Sequence, residues 1–157
     1  MESIDRRLVT LGIQLPPVFR FPSSNRTGCV ESRGVLYLSG HGNGLPDWPN
    51  IAHRGKVGGD VSAETAHHTA RVVALSMLST IAEKFGTLDR VRRVIRILGM
   101  VNSAPGFERQ TYVIDGASDL LYEIWGPEFG CHARTAVGVA ELPFGLAIEI
   151  NGEFELS

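Results

Sequence analysis

The segment 131–150, CHARTAVGVAELPFGLAIEI, places two charges where charge is costly. Arg134 directly precedes a run of small and β-branched residues. Glu149 sits inside the apolar run Ala147-Ile148-Glu149-Ile150. A carboxylate set among apolar neighbours is either one half of a buried ion pair or a working group, because burying it without a partner costs free energy. Composition alone leaves both residues open between a structural and a chemical role.

The other chemistry-bearing residues form weaker patterns. His67 and His68 are adjacent, so on a helix they point about 100° apart and cannot share a ligand face. There is no HExxH and no Cys/His pair at zinc spacing, so the histidines read as solvated surface groups and no metal is expected. The glycines of HGNG and VGGD match neither GxGxxG nor a phosphate loop ending in GK[ST], and no GxSxG elbow occurs. Cys131 next to His132 is adjacency in sequence, not a catalytic Cys–His geometry, and reads as an unreactive thiol. Arg90, Arg92, Arg93 and Arg96 cluster within seven residues. On a strand, Arg90, Arg92 and Arg96 fall on one side. That stripe is a solvated or interfacial edge, or a surface for an anionic substrate. RNA fits it less well, because no aromatics interleave the arginines.

The elements that must position these residues follow from periodicity and punctuation. Residues 1–27 read as an N-terminal arm with a short helix at Ser3–Leu11, and residues 28–157 as one domain. Cys29–Ser39 reads as a hairpin with its turn at Arg33-Gly34. Residues 40–60, rich in glycine with Pro46 and Pro49, read as a long loop. Ser62 caps a helix whose apolar stripe is Ala66, Ala70, Val73, Ala74, Met77, Leu78 and Ile81, and Gly86 stops it. Val91–Val101 is strand-like. Strict alternation puts Arg93, Ile95, Ile97, Gly99 and Val101 on one face, and Arg92, Val94, Arg96, Leu98 and Met100 on the other. A second helix is predicted over Ala117–Trp125, ended by Gly126-Pro127. Strands at Thr135–Ala140 and Ala147–Leu156 flank a turn at 142–145, and pairing them as a second hairpin is the natural expectation. The order β-β-α-β-α-β-β makes an α+β fold with both helices on one face. The other face, bearing Val94, Leu98 and Met100, then calls for an oligomer.

Composition bounds the function. The chain has 157 residues, 43% of them hydrophobic and 20% charged, with a net charge of -2 and a pI of about 6.2. That is an ordinary globular domain without the basic footprint of a nucleic-acid binder. No apolar run approaches the roughly 20 residues of a membrane span. MESIDRRLVTLG lacks the apolar core of a signal peptide. Two cysteines without a CxxC fit a reducing compartment, so a cytoplasmic protein is expected.

The segment A-R-T-A-V-G-V-A-x-L-P, followed after a turn by I-E-I, resembles the signature of the Rid family, also called YjgF-like or L-PSP-like. Gly34-Val35-Leu36-Tyr37-Leu38-Ser39-Gly40, Gly58-Gly59-Asp60-Val61 and the stretch from Leu88-Asp89 to Leu98 resemble earlier family segments in the same order. The resemblance implies a chorismate-mutase-like α+β fold on a mixed sheet. It also implies a barrel-cored homotrimer with active sites between subunits. The implied activity is hydrolysis of imines or enamines bearing a carboxylate to a ketoacid and ammonia, with no cofactor. It implies that Arg134 clamps the substrate carboxylate, that Glu149 positions or activates water, and that Ser39 and Gly40 contact the substrate. Thr111 lies where the family has an asparagine, and His132 where it has a proline. The family's tyrosine before the first strand has no counterpart in FPSSNRTG. Within this reading a 2-aminomuconate-like dicarboxylate is one option, with Arg96 as a second anionic contact. The alternatives are a non-catalytic trimer that binds a small carboxylate, and an endoribonuclease.

Overall fold

The computed structural model describes residues 2–21, 24–42 and 54–157. Most of the loop expected over 40–60, including Pro46 and Pro49, therefore lies outside the described residues. Eight regular elements follow in order: α1 (Ile4–Thr10), β1 (Cys29–Ser32), β2 (Val35–Gly42), α2 (Ala63–Phe85), β3 (Val91–Asn102), α3 (Gln110–Phe129), β4 (Ala133–Val139) and β5 (Ile148–Leu156), with a 3-10 turn at Pro143–Gly145 before β5. The fold is α+β, a mixed five-stranded sheet with helices on one face.

The first hairpin forms where expected, because Arg33 and Gly34 both take positive φ, 51° and 75°, as a tight two-residue turn requires. Ser62 caps α2 by accepting the Thr65 amide at 3.1 Å. Gly86 ends the helix in the left-handed conformation, φ 74°, and the whole predicted stripe from Ala66 to Ile81 is buried. The expected arm is partly docked. Ile4 and Leu8 of α1 enter the core. The Asp5 carboxylate accepts from the Leu88 amide at 2.9 Å and from the Thr87 hydroxyl at 2.6 Å, which ties α1 to the turn between α2 and β3.

Three expectations are corrected. The strands at 133–139 and 148–156 are not a hairpin. The sheet order is β1-β2-β5-β3-β4, so β3 separates them: β4 pairs with β3 in parallel, and β5 lies antiparallel to both β2 and β3. Burial explains the placement. Ile148, Ile150 and Phe154 are fully buried and need neighbours on both sides, whereas β4 carries small, partly exposed side chains that suit an edge. Secondly, Val94 is 1% exposed, not on the open face. The register of β3 against β5 slips between Val94 and Arg96, and a bulge of this kind resets the alternation. Leu98 and Met100 do lie on the open face, across from Asn151 and Glu149.

Thirdly, α3 begins at Gln110, seven residues before the expected start, because Arg109 supplies no side-chain cap that would mark it. Gly126, with φ 74° and ψ -179°, breaks the helix where Gly126-Pro127 was expected to end it, and one further turn follows. Gly116 inside α3 is the point of closest approach to α2. A Cβ there would collide with the backbone carbonyl of His67.

In an ordinary helix interior Gly→Ala stabilises by roughly 0.5–1 kcal/mol. Here Gly116→Ala is expected to reverse the sign and destabilise by about 1–3 kcal/mol through overpacking. Urea unfolding that shows a lower midpoint with an unchanged slope checks this.

Candidate active site

Alternation along β5 decides where Glu149 goes. Ile148, Ile150 and Phe154 face the helices, so Glu149 faces the open side, with Gly42 on one neighbouring strand and Met100 on the other. It is half-buried against Gly40, where a Cβ would overlap its carboxylate. Gly40 is therefore the residue that leaves room for this side chain. Among the described residues no side chain forms an ion pair or hydrogen bond with Glu149. Burial raises its carboxyl above the ordinary 4.5.

Glu149 lies on a cleft of about 680 Å³. Gly40 and Gly42 of β2 line it beside Glu149. Phe144 and Leu146 come from the turn before β5, and Phe19, Arg20, Phe21 and Arg26 from the extended segment after α1, with Arg54 completing it. Ser39, next to Gly40, directs its hydroxyl to the Thr27 carbonyl at 2.5 Å.

Arg134 lies elsewhere. It pairs in register with Ile97 on β3, a helix-facing position, and its guanidinium points to α3. Its Nη1 donates to the Asp115 carboxylate at 2.6 Å and to the Ser118 hydroxyl at 3.1 Å, and its Nη2 to the Thr111 carbonyl at 3.5 Å. His132 closes this cluster: its Nε2 is 3.1 Å from the Ser118 hydroxyl. Burial first, and the nearby Arg134 charge as a lesser cause, hold the imidazole below 6.5. In one chain Arg134 and Glu149 thus sit on opposite faces of the sheet, with β3 between their strands. The structure brings Arg134 together with Thr111, and Glu149 together with Gly40, but not the two groups with each other.

Arg96 joins neither group. It pairs with Glu153 at 3.3 Å, as Arg92 pairs with Glu155 at 3.0 Å. Arg93 donates to the Glu128 carbonyl at 2.6 Å. Two of the four arginines, Arg92 and Arg96, are thus balanced by glutamates of β5. His41 corrects the surface reading of the histidines: it is 1% exposed. Its Nδ1–H donates to the Ser39 carbonyl at 2.6 Å, which leaves Nε2 to accept from Thr80 at 2.8 Å, and burial lowers its pKa below 6.5. Both cysteines are free thiols. Among the described residues no three His, Cys, Asp or Glu side chains are placed to hold a metal, and no helix is long and apolar enough to cross a membrane.

Sequence reasoning missed two sets of residues. Asp115 and Ser118, which orient Arg134, sit at positions that no strand or helix signal ties to it. The cleft residues Phe19, Arg20, Phe21 and Arg26 lie in a segment read as an irregular arm. Its F-R-F spacing was the available signal.

No protein-family model matches the chain. It is similar to Protein TCP17 of Trypanosoma cruzi, 40% identical over 151 residues, covering 96% of this chain and 92% of the other. Among solved structures it is similar to Atu1372 of Agrobacterium tumefaciens, a protein of unknown function. There the identity is 37% and the TM-score 0.86, covering 98% of this chain and 92% of that one. It is also similar to a candidate endoribonuclease of Shewanella oneidensis, at 26% identity and TM-score 0.89 over 99% and 100% of the two chains. The fold alone is shared with YyfA of Yersinia pestis, a Rid family protein, at 18% identity and TM-score 0.56 over 85% and 90%.

The raised carboxyl of Glu149 has a consequence for stability. The folded state holds this proton more tightly than the unfolded state, so the site's contribution to stability falls as pH rises from about 4.5 through the raised folded value. Glu149→Gln cannot ionise and escapes that penalty. The variant is expected to melt at or above the parent's temperature at pH 7 and to lose any such advantage at acid pH. A melting scan across pH checks this, and a variant several degrees less stable at pH 7 would show that Glu149 is an ion-pair partner.

Proposed function

The chain belongs to the Rid family, and on that premise we propose that it hydrolyses imines or enamines bearing a carboxylate, as a homotrimer with its sites between subunits. The observation that carries this reading is the Glu149 carboxylate: half-buried, raised by burial, without a partner among the described residues, and set on a cleft of about 680 Å³. A purely structural glutamate in an apolar strand would be paired.

The chemistry asks little of the protein, because a protonated imine is already electrophilic. Glu149 takes a proton from water as the water oxygen bonds to the imine carbon, giving a carbinolamine. The same carboxyl returns the proton to nitrogen. The C–N bond breaks, and the hydroxyl proton leaves with the departing ammonia. Iminium plus water thus becomes ketone plus ammonium. A carboxylate made more basic by burial suits the first proton transfer, and holding water and substrate together removes much of the entropic barrier.

Arg134 binds the substrate carboxylate through its planar fork, with Asp115 and Ser118 fixing its orientation. Since it lies across the sheet from Glu149 in its own chain, it completes the site of a neighbouring subunit. Two features support the assembly. The open face exposes Tyr37, Ile95 and Val137, at 47%, 36% and 38%, beside Leu98 and Met100. In addition, β4 is an edge strand. The endoribonuclease reading loses its cationic track, since Glu153 and Glu155 occupy Arg96 and Arg92. Thr111 contributes its carbonyl to the orientation of Arg134.

The test is ammonia release from imines generated in situ from a panel of amino acids, expressed per folded trimer. Glu149→Gln is expected to lose roughly 10²–10⁴ in rate with KM little changed, and Arg134→Lys to raise KM, because a point charge cannot reproduce the fork. Near-normal turnover in Glu149→Gln would overturn the assignment. Light scattering is expected to give the mass of three chains, and a stable monomer at micromolar concentration would remove the shared site. Exhaustive chelation is expected to leave turnover unchanged; a loss restored by zinc or manganese would contradict the mechanism.

A further inference from the structure

Among the described residues, the cleft at Glu149 holds more positive charge than its lining balances. Three arginines line it, Arg20, Arg26 and Arg54, against the single carboxylate of Glu149. Arg20 is accounted for by its ion pair with Glu83. Arg54 is anchored through one Nη1, which donates to the Phe144 carbonyl at 2.8 Å, and so keeps its remaining donors at a fixed place on the rim. Arg26 has no ion-pair partner among the described residues. Neither arginine forms an ion pair with Glu149, whose carboxyl is raised by burial, although all of them line the same cleft. Two guanidiniums on one cleft without counter-charges among the described residues suit an anion that binds there.

We propose that Arg26 and Arg54 form a second anion subsite in the Glu149 cleft, that it takes the distal carboxylate of a dicarboxylic substrate, and that the carbon chain between the two acids lies against Phe21 and Phe144. This rests on the reading of Glu149 as the base and extends it to substrate class. The carboxylate next to the reacting carbon goes to Arg134 of a neighbouring subunit, and the far one to Arg26 and Arg54. Arg96, which sequence alone offered for this role, is held by Glu153.

Binding is measured first, without any reaction. Adipate and hexanoate have the same chain length and differ by one carboxylate. The native protein is expected to bind adipate at least about tenfold more tightly, as one charge-assisted contact provides, with the steeper salt dependence. Arg26→Gln and the double variant with Arg54→Gln are expected to erase that preference. Arg54→Lys tests the fork while keeping the charge and is expected to weaken it. If the variants do not fold, the salt dependence of the native protein still decides. Equal affinity for adipate and hexanoate, or a preference that survives both variants, would overturn the subsite. Displacement of adipate by inorganic phosphate at lower concentration would overturn the carboxylate assignment. Imine hydrolysis by the native protein, measured beside its adipate preference, separates the two readings: the preference without hydrolysis keeps the subsite and removes the catalytic base, whereas hydrolysis without the preference does the reverse.

Discussion

The insertion of β5 between β2 and β3 is the constraint on which the rest of the molecule depends. Ile148, Ile150 and Phe154 lose all contact with water only if the strand has a neighbour on each side and helices over it. At about 25 cal/mol per Å² of apolar surface, this burial outweighs the local ease of turning back onto β4. Once those three face the helices, the period of two sends Glu149, Asn151, Glu153 and Glu155 to the open side. The position of the candidate base is thus a by-product of core packing, and Gly40 leaves the gap into which its carboxylate fits.

The same register separates the two candidate residues. Arg134 sits on the edge strand, on the helix side, held by Asp115 and Ser118 from α3. Glu149 sits in the centre, on the opposite side. Two strand spacings of about 4.8 Å each and the thickness of the sheet lie between them. A chemistry that uses both needs two copies of the chain, and assembly and function then become a single requirement. The open face, with its half-exposed aliphatic and aromatic residues, is suited to that association.

Charge is distributed in two ways. Along β3, Arg92 and Arg96 meet Glu155 and Glu153 of β5, and exposed pairs of that kind contribute on the order of 1 kcal/mol or less; their role is to balance a surface. In the cleft, Arg26 and Arg54 have no ion-pair partners among the described residues, and Glu149 has none there either. A half-buried carboxylate and guanidiniums around one cavity are the arrangement on which the proposed ligand site rests.

The sequence by itself determined the elements whose signals are local. The cap and stop of α2 at Ser62 and Gly86, its stripe from Ala66 to Ile81, the turn at Arg33-Gly34 and the break at Gly126-Pro127 depend on residues within a few positions of one another, and each formed where its signal stood. The motif from Ala133 to Ile150 likewise marked Arg134 and Glu149 as the charges to follow and placed the family. What depends on distant neighbours was not legible there. The bulge that buries Val94, the start of α3 seven residues before the expected position, the inward place of His41, and the convergence of Phe19, Arg26 and Arg54 on Glu149 all involve partners tens of residues away. The widest gap was strand order. Short turns favour adjacent pairing, and only competition among all the strands for the central place decided that β3 would lie between β4 and β5. That choice put Arg134 and Glu149 on opposite faces of one sheet, because parity along a strand is local whereas the identity of its neighbours is global.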